Sequence, residues 1–181
     1  TGSRKEDNEN WFTVRMLLLL ESIPLLNPEL YHQFSKDIIN NYYRDGKGTK
    51  TFKPLFLLND LLRYWRTLCI NYEERRNDPT KPWRKKNINL RFSRMVTVFG
   101  TILPLIVKPI NDPESFITLT RMTALERLAY GIDLLEDKEI EEKWNNVLNN
   151  YSLFLSWKED DQMEKHFIEA TNQNLIKETA E

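Results

Sequence analysis

The chain is predicted to be an all-α single helical bundle of about six to seven helices, and three observations lead there. Apolar residues recur at helical spacing through most of its 181 residues, no run alternates in the manner of a strand, and only 5 glycines accompany 21 aromatic residues. A hydrophobic content of 40% in a chain of this length is enough for one well-buried core.

Residues 1–10 read as a tag remnant, Thr1-Gly2-Ser3, followed by a flexible N-terminus; 11–157 read as the helical domain, and 158–181 as a weakly packed polar C-terminal helix. The first helix is expected from Trp11 to Ser22, with Pro24 ending it because proline lacks the donor that a continuing helix needs. Asn27-Pro28-Glu29 combines an N-cap, a first-turn proline and an acid at the positive end of the helix dipole. Leu30, Phe34, Ile38 and Tyr42 then recur on what should be the buried face, up to Asp45-Gly46.

The third helix is expected from Pro54 to about Asn77, burying Leu58, Leu61, Leu62, Trp65, Leu68, Cys69 and Tyr72. After the breaker Asp78-Pro79-Thr80-Lys81-Pro82, the fourth runs from Trp83 through Phe99, with Ile88, Phe92, Met95 and Phe99 toward the core and a bend or end at Gly100 and Pro104. Asp112-Pro113-Glu114 repeats the N-cap grammar, and Thr123 with Glu126 forms a capping box ahead of Leu125, Leu128, Ala129, Ile132 and Leu135. Ile140, Trp144, Val147, Leu148, Tyr151 and Leu155 mark the next helix, and Met163, Phe167, Ile168 and Leu175 a last one from about Lys158.

The formal net charge of -1 hides an asymmetry. Residues 44–94 hold 14 Lys/Arg against 5 Asp/Glu, a net of +9, whereas residues 111–181 hold 7 against 16, a net of -9. Within the basic half, Asn59, Arg63 and Arg66 share a ridge of the third helix, and Arg84, Asn87, Arg91 and Arg94 share one of the fourth. Arginine forks donate in pairs to phosphate or carboxylate oxygens, and Asn adds neutral donors and acceptors for a base or sugar, so the two ridges together suit a polar groove. The plainer alternative is that these arginines pair with the acidic C-terminal half or with Asp60, Glu73 and Glu74.

Catalytic and metal motifs are missing. Cys69 is the only cysteine and His32 and His166 the only histidines, so neither a disulfide nor a Cys/His zinc site can be assembled; a reducing, cytoplasmic setting is expected. No Gly-Ser turn with paired carboxylates and no Walker loop occurs, and Glu159, Asp160 and Asp161 read as a charge cluster at a helix start. Cys69 reads as an inert buried thiol, and no self-contained catalytic site is expected. The longest apolar run, Met16 to Leu20, is too short to span a bilayer.

The segments RMLLLLES (15–22), FLLNDLLRYWRTLCINYEERR (56–76) and WRKKNINLRFSR (83–94) together resemble the helical C-terminal domain of bacterial nucleotidyltransferase-like proteins, in which a polymerase-β-type domain precedes an all-helical one. The similarity spans roughly residues 11 to 135. It places weight on Asn59, Asp60, Arg63, Tyr64, Trp65, Arg66, Asn87, Arg91, Ser93 and Arg94. This chain departs from the pattern at Arg84, where the family tends to have Gly, and at Met95, where it tends to have Lys.

The resemblance implies an accessory domain whose Asn59, Arg63, Arg66, Asn87, Arg91 and Arg94 hold phosphates or a base of a nucleotide or nucleic acid. The partner would be an N-terminal catalytic domain of the parent protein, with Mg²⁺ and nucleotide bound by the full-length protein and no cofactor in this chain. The alternative function is a protein-protein interaction or homodimerisation module, using the acidic half or an apolar patch around Trp144, Phe154 and Trp157.

Overall fold

The computed structural model describes residues 11–46, 52–76, 83–108, 110–160 and 162. Among them there is no strand, and seven helices form the bundle expected from the sequence. These are α1 (Trp11–Leu20), α2 (Pro28–Tyr43), α3 (Leu55–Arg76), α4 (Trp83–Val107), α5 (Pro113–Arg121), α6 (Ala124–Asp133) and α7 (Lys138–Glu159). The region expected to carry Met163, Phe167, Ile168 and Leu175, like His166 and Asp161, lies outside the described residues.

The start signals perform as the sequence grammar requires. Asn27, in the left-handed region at φ 48°, accepts from the Leu30 amide at 3.0 Å; Asp112 accepts from the Ser115 amide at 2.8 Å and its hydroxyl at 2.6 Å. The Thr123 box is reciprocal: Glu126 Oε2 takes the Thr123 amide at 2.6 Å and Thr123 Oγ1 the Glu126 amide at 3.3 Å. Each removes an orphan donor from a helix start.

One core joins α1 to α5, built from Met16, Ile39, Leu57, Leu61, Tyr64, Val98, Leu105 and Phe116 among others. A satellite cluster beneath α7 has Phe154 stacked on Phe92, ring centroids 4.8 Å apart at 7°, beside Ile88.

Several expected faces are rotated. On α2 the buried residues are Ser35, Ile39, Tyr42 and Tyr43, while Leu30 and Phe34 are exposed, because the Tyr31 hydroxyl hydrogen-bonds at the end of α1 and Tyr42 turns inward to a buried carboxylate. On α3, Leu57, Leu61 and Tyr64 are buried and Leu62 is exposed.

The largest departure is in α4, which continues past Gly100 and Pro104 to Val107 and contains a π-helical segment, Leu90–Arg94, where the Met95 amide reaches Leu90 O. A π turn inserts one residue, which rotates the remainder of the helix by about 100° relative to an unbroken α-helix. Ile88 is therefore buried as expected, but Met95 and Phe99 are exposed, and Val98, Thr101 and Leu105 face the core instead. By length and hydropathy α4 could cross a bilayer; in the fold, these three residues pack fully inside the bundle.

Gly100 does not end α4 but lets α6 come close: a Cβ there would lie 2.8 Å from the Ala124 carbonyl oxygen and 3.3 Å from Leu128. Gly100→Ala is therefore expected to lower unfolding free energy by about 1–3 kcal/mol, although alanine is the better helix former. Urea denaturation checks this; unchanged or higher stability would rule out the close approach.

Capping also sets an acid response. The Ser115 hydrogen bonds hold the Asp112 carboxyl below its usual range, so its contribution is present above the ordinary pKa near 3.8 and is lost as pH falls through the lower folded value. Asp112→Asn, a neutral cap, should flatten the acid-side decline of melting temperature below about pH 4.

Candidate anion-binding cleft

Two polar arrangements emerge from these helices, one closed and one open. The closed one centres on Asp60, buried on α3. Its Oδ2 accepts the Tyr42 hydroxyl at 2.6 Å and Arg15 Nη2 at 3.2 Å, and its Oδ1 accepts Arg63 Nη1 at 3.0 Å; Arg15 Nε also donates to the Tyr42 oxygen at 3.0 Å. Arg63 lies over the Phe12 ring, 4.5 Å from its centroid. Burial, and then the neighbouring Asp60, push the Tyr42 phenol well above its ordinary range, so it stays a proton donor to the carboxylate.

The open arrangement is a cleft of about 460 Å³ between α3, the first half of α4, the end of α1 and the end of α7. Asn71 and Tyr72 line it from α3, Lys86, Asn89, Ser93 and Arg94 from α4, and Lys158 from α7. The π segment supplies Ser93 and Arg94, so the same insertion that rotates the core face also sets this wall. Glu21 closes one side: its Oε1 accepts the Tyr64 hydroxyl at 2.8 Å and its Oε2 pairs with Arg94.

Against three cations the cleft has one carboxylate, already engaged twice. Its donor set suits an anion with hydrogen-bonding edges and not Mg²⁺, which favours carboxylate oxygens. No group of three or more His, Cys, Asp or Glu side chains suited to a metal occurs among the described residues.

Of the six residues singled out from sequence, Arg94 lines this cleft. Arg91 is exposed near Tyr72, close enough for its charge to act on that hydroxyl, and Asn87 is half-buried on α4. Asn59, Arg63 and Arg66 are elsewhere: at about 100° per residue they stand on the side of α3 away from Leu68 and Tyr72, with Arg63 turned to Asp60 and Phe12. The two ridges thus do not face each other across one groove.

Of the apolar patch expected around Trp144, Phe154 and Trp157, Phe154 is fully buried and the two tryptophans half-buried, while Val147, Leu148, Leu153 and Leu155 on the same helix are exposed. His32 is held by Arg121 at 2.9 Å. Cys69 is half-buried and not enclosed, and burial, with Glu73 nearby, pushes its thiol up.

Sequence reasoning passed over Glu21, Lys86, Asn71, Asn89 and Lys158, which come together only through packing. It also passed over Arg127, fully buried on α6, whose Nη2 donates to Leu20 O at the C-terminus of α1, at 3.2 Å. Desolvation lowers its pKa to about 10, so it remains a cation there at neutral pH, facing the negative end of the α1 dipole. Compared with known proteins, the chain matches no family model, no curated protein and no solved structure.

Asp60→Ala should cost about 3–5 kcal/mol, because it strands the partly buried Arg15 guanidinium and the buried Tyr42 hydroxyl, whereas the exposed Arg66→Ala should change stability by less than about 0.5 kcal/mol. Chemical denaturation of the two variants measures the contrast.

Proposed function

We propose that the chain is an accessory helical domain of a nucleotidyltransferase-like protein, and that its cleft receives the phosphates of a nucleotide or of a nucleic-acid end beside a polymerase-β-type catalytic domain. The observation that carries this reading is the convergence of Lys86, Arg94 and Lys158 from two helices on one cleft that also presents Asn71, Asn89, Ser93 and Tyr72. About 460 Å³ is within the range of small-ligand sites, roughly 300–1,000 Å³.

In this reading Arg94 and the two lysines hold phosphate oxygens, Arg91 adds charge at the Tyr72 side, and the asparagines orient a base or sugar. Chemistry would come from the catalytic domain. Glu21 acts as an internal competitor, a carboxylate occupying Arg94 until a phosphate takes its place.

Calorimetry with ATP, and fluorescence anisotropy with a 5′-phosphorylated single-stranded oligonucleotide, test this and separate the two ligands. Lys86→Ala and Lys158→Ala should each weaken binding by roughly ten- to a hundredfold, from the loss of a charge-assisted contact of about 1.5–3 kcal/mol, with melting temperature unchanged. Glu21→Gln should tighten it. Binding of neither ligand by the wild-type chain, or binding indifferent to both lysines, would refute the assignment.

A further inference from the structure

A second surface, separate from the cleft, lies where α3 and α4 run side by side. From Met95 to Val107 α4 has no ionisable side chain, yet Met95, Phe99 and Ile106, spaced four and seven residues apart, share an exposed line. On α3, Leu55 and Leu62, seven apart, form a second exposed line, which Asn59 and Arg66 share at the same helical spacing. Trp65 joins the two, its ring edge-on to Phe99 with centroids 5.4 Å apart. The five side chains of these two lines are 38% to 66% exposed.

Such a face contradicts what a helix of this composition ordinarily does. A segment apolar around its whole circumference belongs inside a core, and α4 buries its Val98, Thr101 and Leu105 side while leaving this one in solvent. The exposed apolar side chain amounts to on the order of 450 Å² per molecule, as large as the largest patch on a typical monomer, which is often functional.

We propose that this two-helix face docks on the same face of a second copy of the chain, giving a twofold dimer whose seam is a four-helix layer of α3 and α4 from each protomer. Area and chemistry favour a second copy as the occupant. Two such faces, with their flanking atoms, remove on the order of 1,000 Å² from water, the lower bound for a specific interface. None of the five side chains carries a charge; Arg66, the charged group on the same line of α3, stands one turn beyond Leu62 at the rim of the patch, where its guanidinium stays in water, and a self-complementary patch is what a twofold contact requires. Two adjacent helices also offer a groove floored by Trp65 for ridges of the partner.

An interface at this lower bound should associate in the micromolar range. Sedimentation equilibrium of the full chain is expected to show the mass rising with concentration from 21.7 kDa toward twice that value. Leu62→Lys and Phe99→Lys should each weaken association at least tenfold while the far-ultraviolet circular dichroism stays that of the wild type. Leu55→Lys, at the first turn of α3, provides the same test where folding is least at risk, and Leu25→Lys, on the α1–α2 loop, should leave the dimer intact. A chain that stays monomeric up to several hundred micromolar overturns the proposal, and so does a dimer unaffected by Leu55→Lys and Leu62→Lys.

Discussion

Asp60 is a carboxylate taken out of water, and the front of the bundle is arranged around the need to satisfy it. A buried charge without partners costs several kcal/mol. Here α1 sends Arg15, α2 sends Tyr42 and α3 itself sends Arg63, so three helices are held in one register by one group. Apolar packing alone would let α1 and α2 slide or rotate over α3, because Leu, Met and Ile surfaces are adaptable. The rotated face of α2 follows from the same demand: Tyr42 must point inward, and Leu30 and Phe34 are left outside.

Two further polar ties carry the arrangement outward. Glu21, just beyond α1, reaches Tyr64 on α3 and Arg94 on α4, while Arg127 on α6 meets the last carbonyl of α1. The end of α1 is thus the point where three helices are tied by side chains, and the cleft opens beside it. Arg94 belongs both to a tie that orients α4 and to the wall of the cleft, so the guanidinium there is already held by a carboxylate.

The π segment of α4 is the second organising feature. It rotates the latter half of the helix, so that Val98, Thr101 and Leu105 enter the core, Met95, Phe99 and Ile106 emerge on the surface, and Ser93 and Arg94 turn to the cleft. An unbroken α-helix through Leu90–Arg94 would put Met95 and Phe99 in line with Ile88 and Phe92. That is the arrangement the heptad-like spacing suggests, and nothing in LRFSR by itself marks the extra residue. The close approach at Gly100 then fixes α4 against α6 at a separation that a side chain would not allow.

Local sequence chemistry determined the all-α class, the helix starts at Asn27, Asp112 and Thr123, and the stop near Asp45-Gly46, because caps, prolines and helical periodicity act within four or five residues of one another. The basic character of α3 and α4 was legible in the same way, and so was Arg94 as a binding candidate. Which face of each helix is buried, which arginines are spent on internal carboxylates and which line a cleft was decided only in the tertiary structure. Those outcomes depend on partners 27 to 107 residues away, as for Arg15 with Tyr42 and Arg127 with Leu20, and on one inserted residue in α4 whose cost is recovered by packing far along the chain.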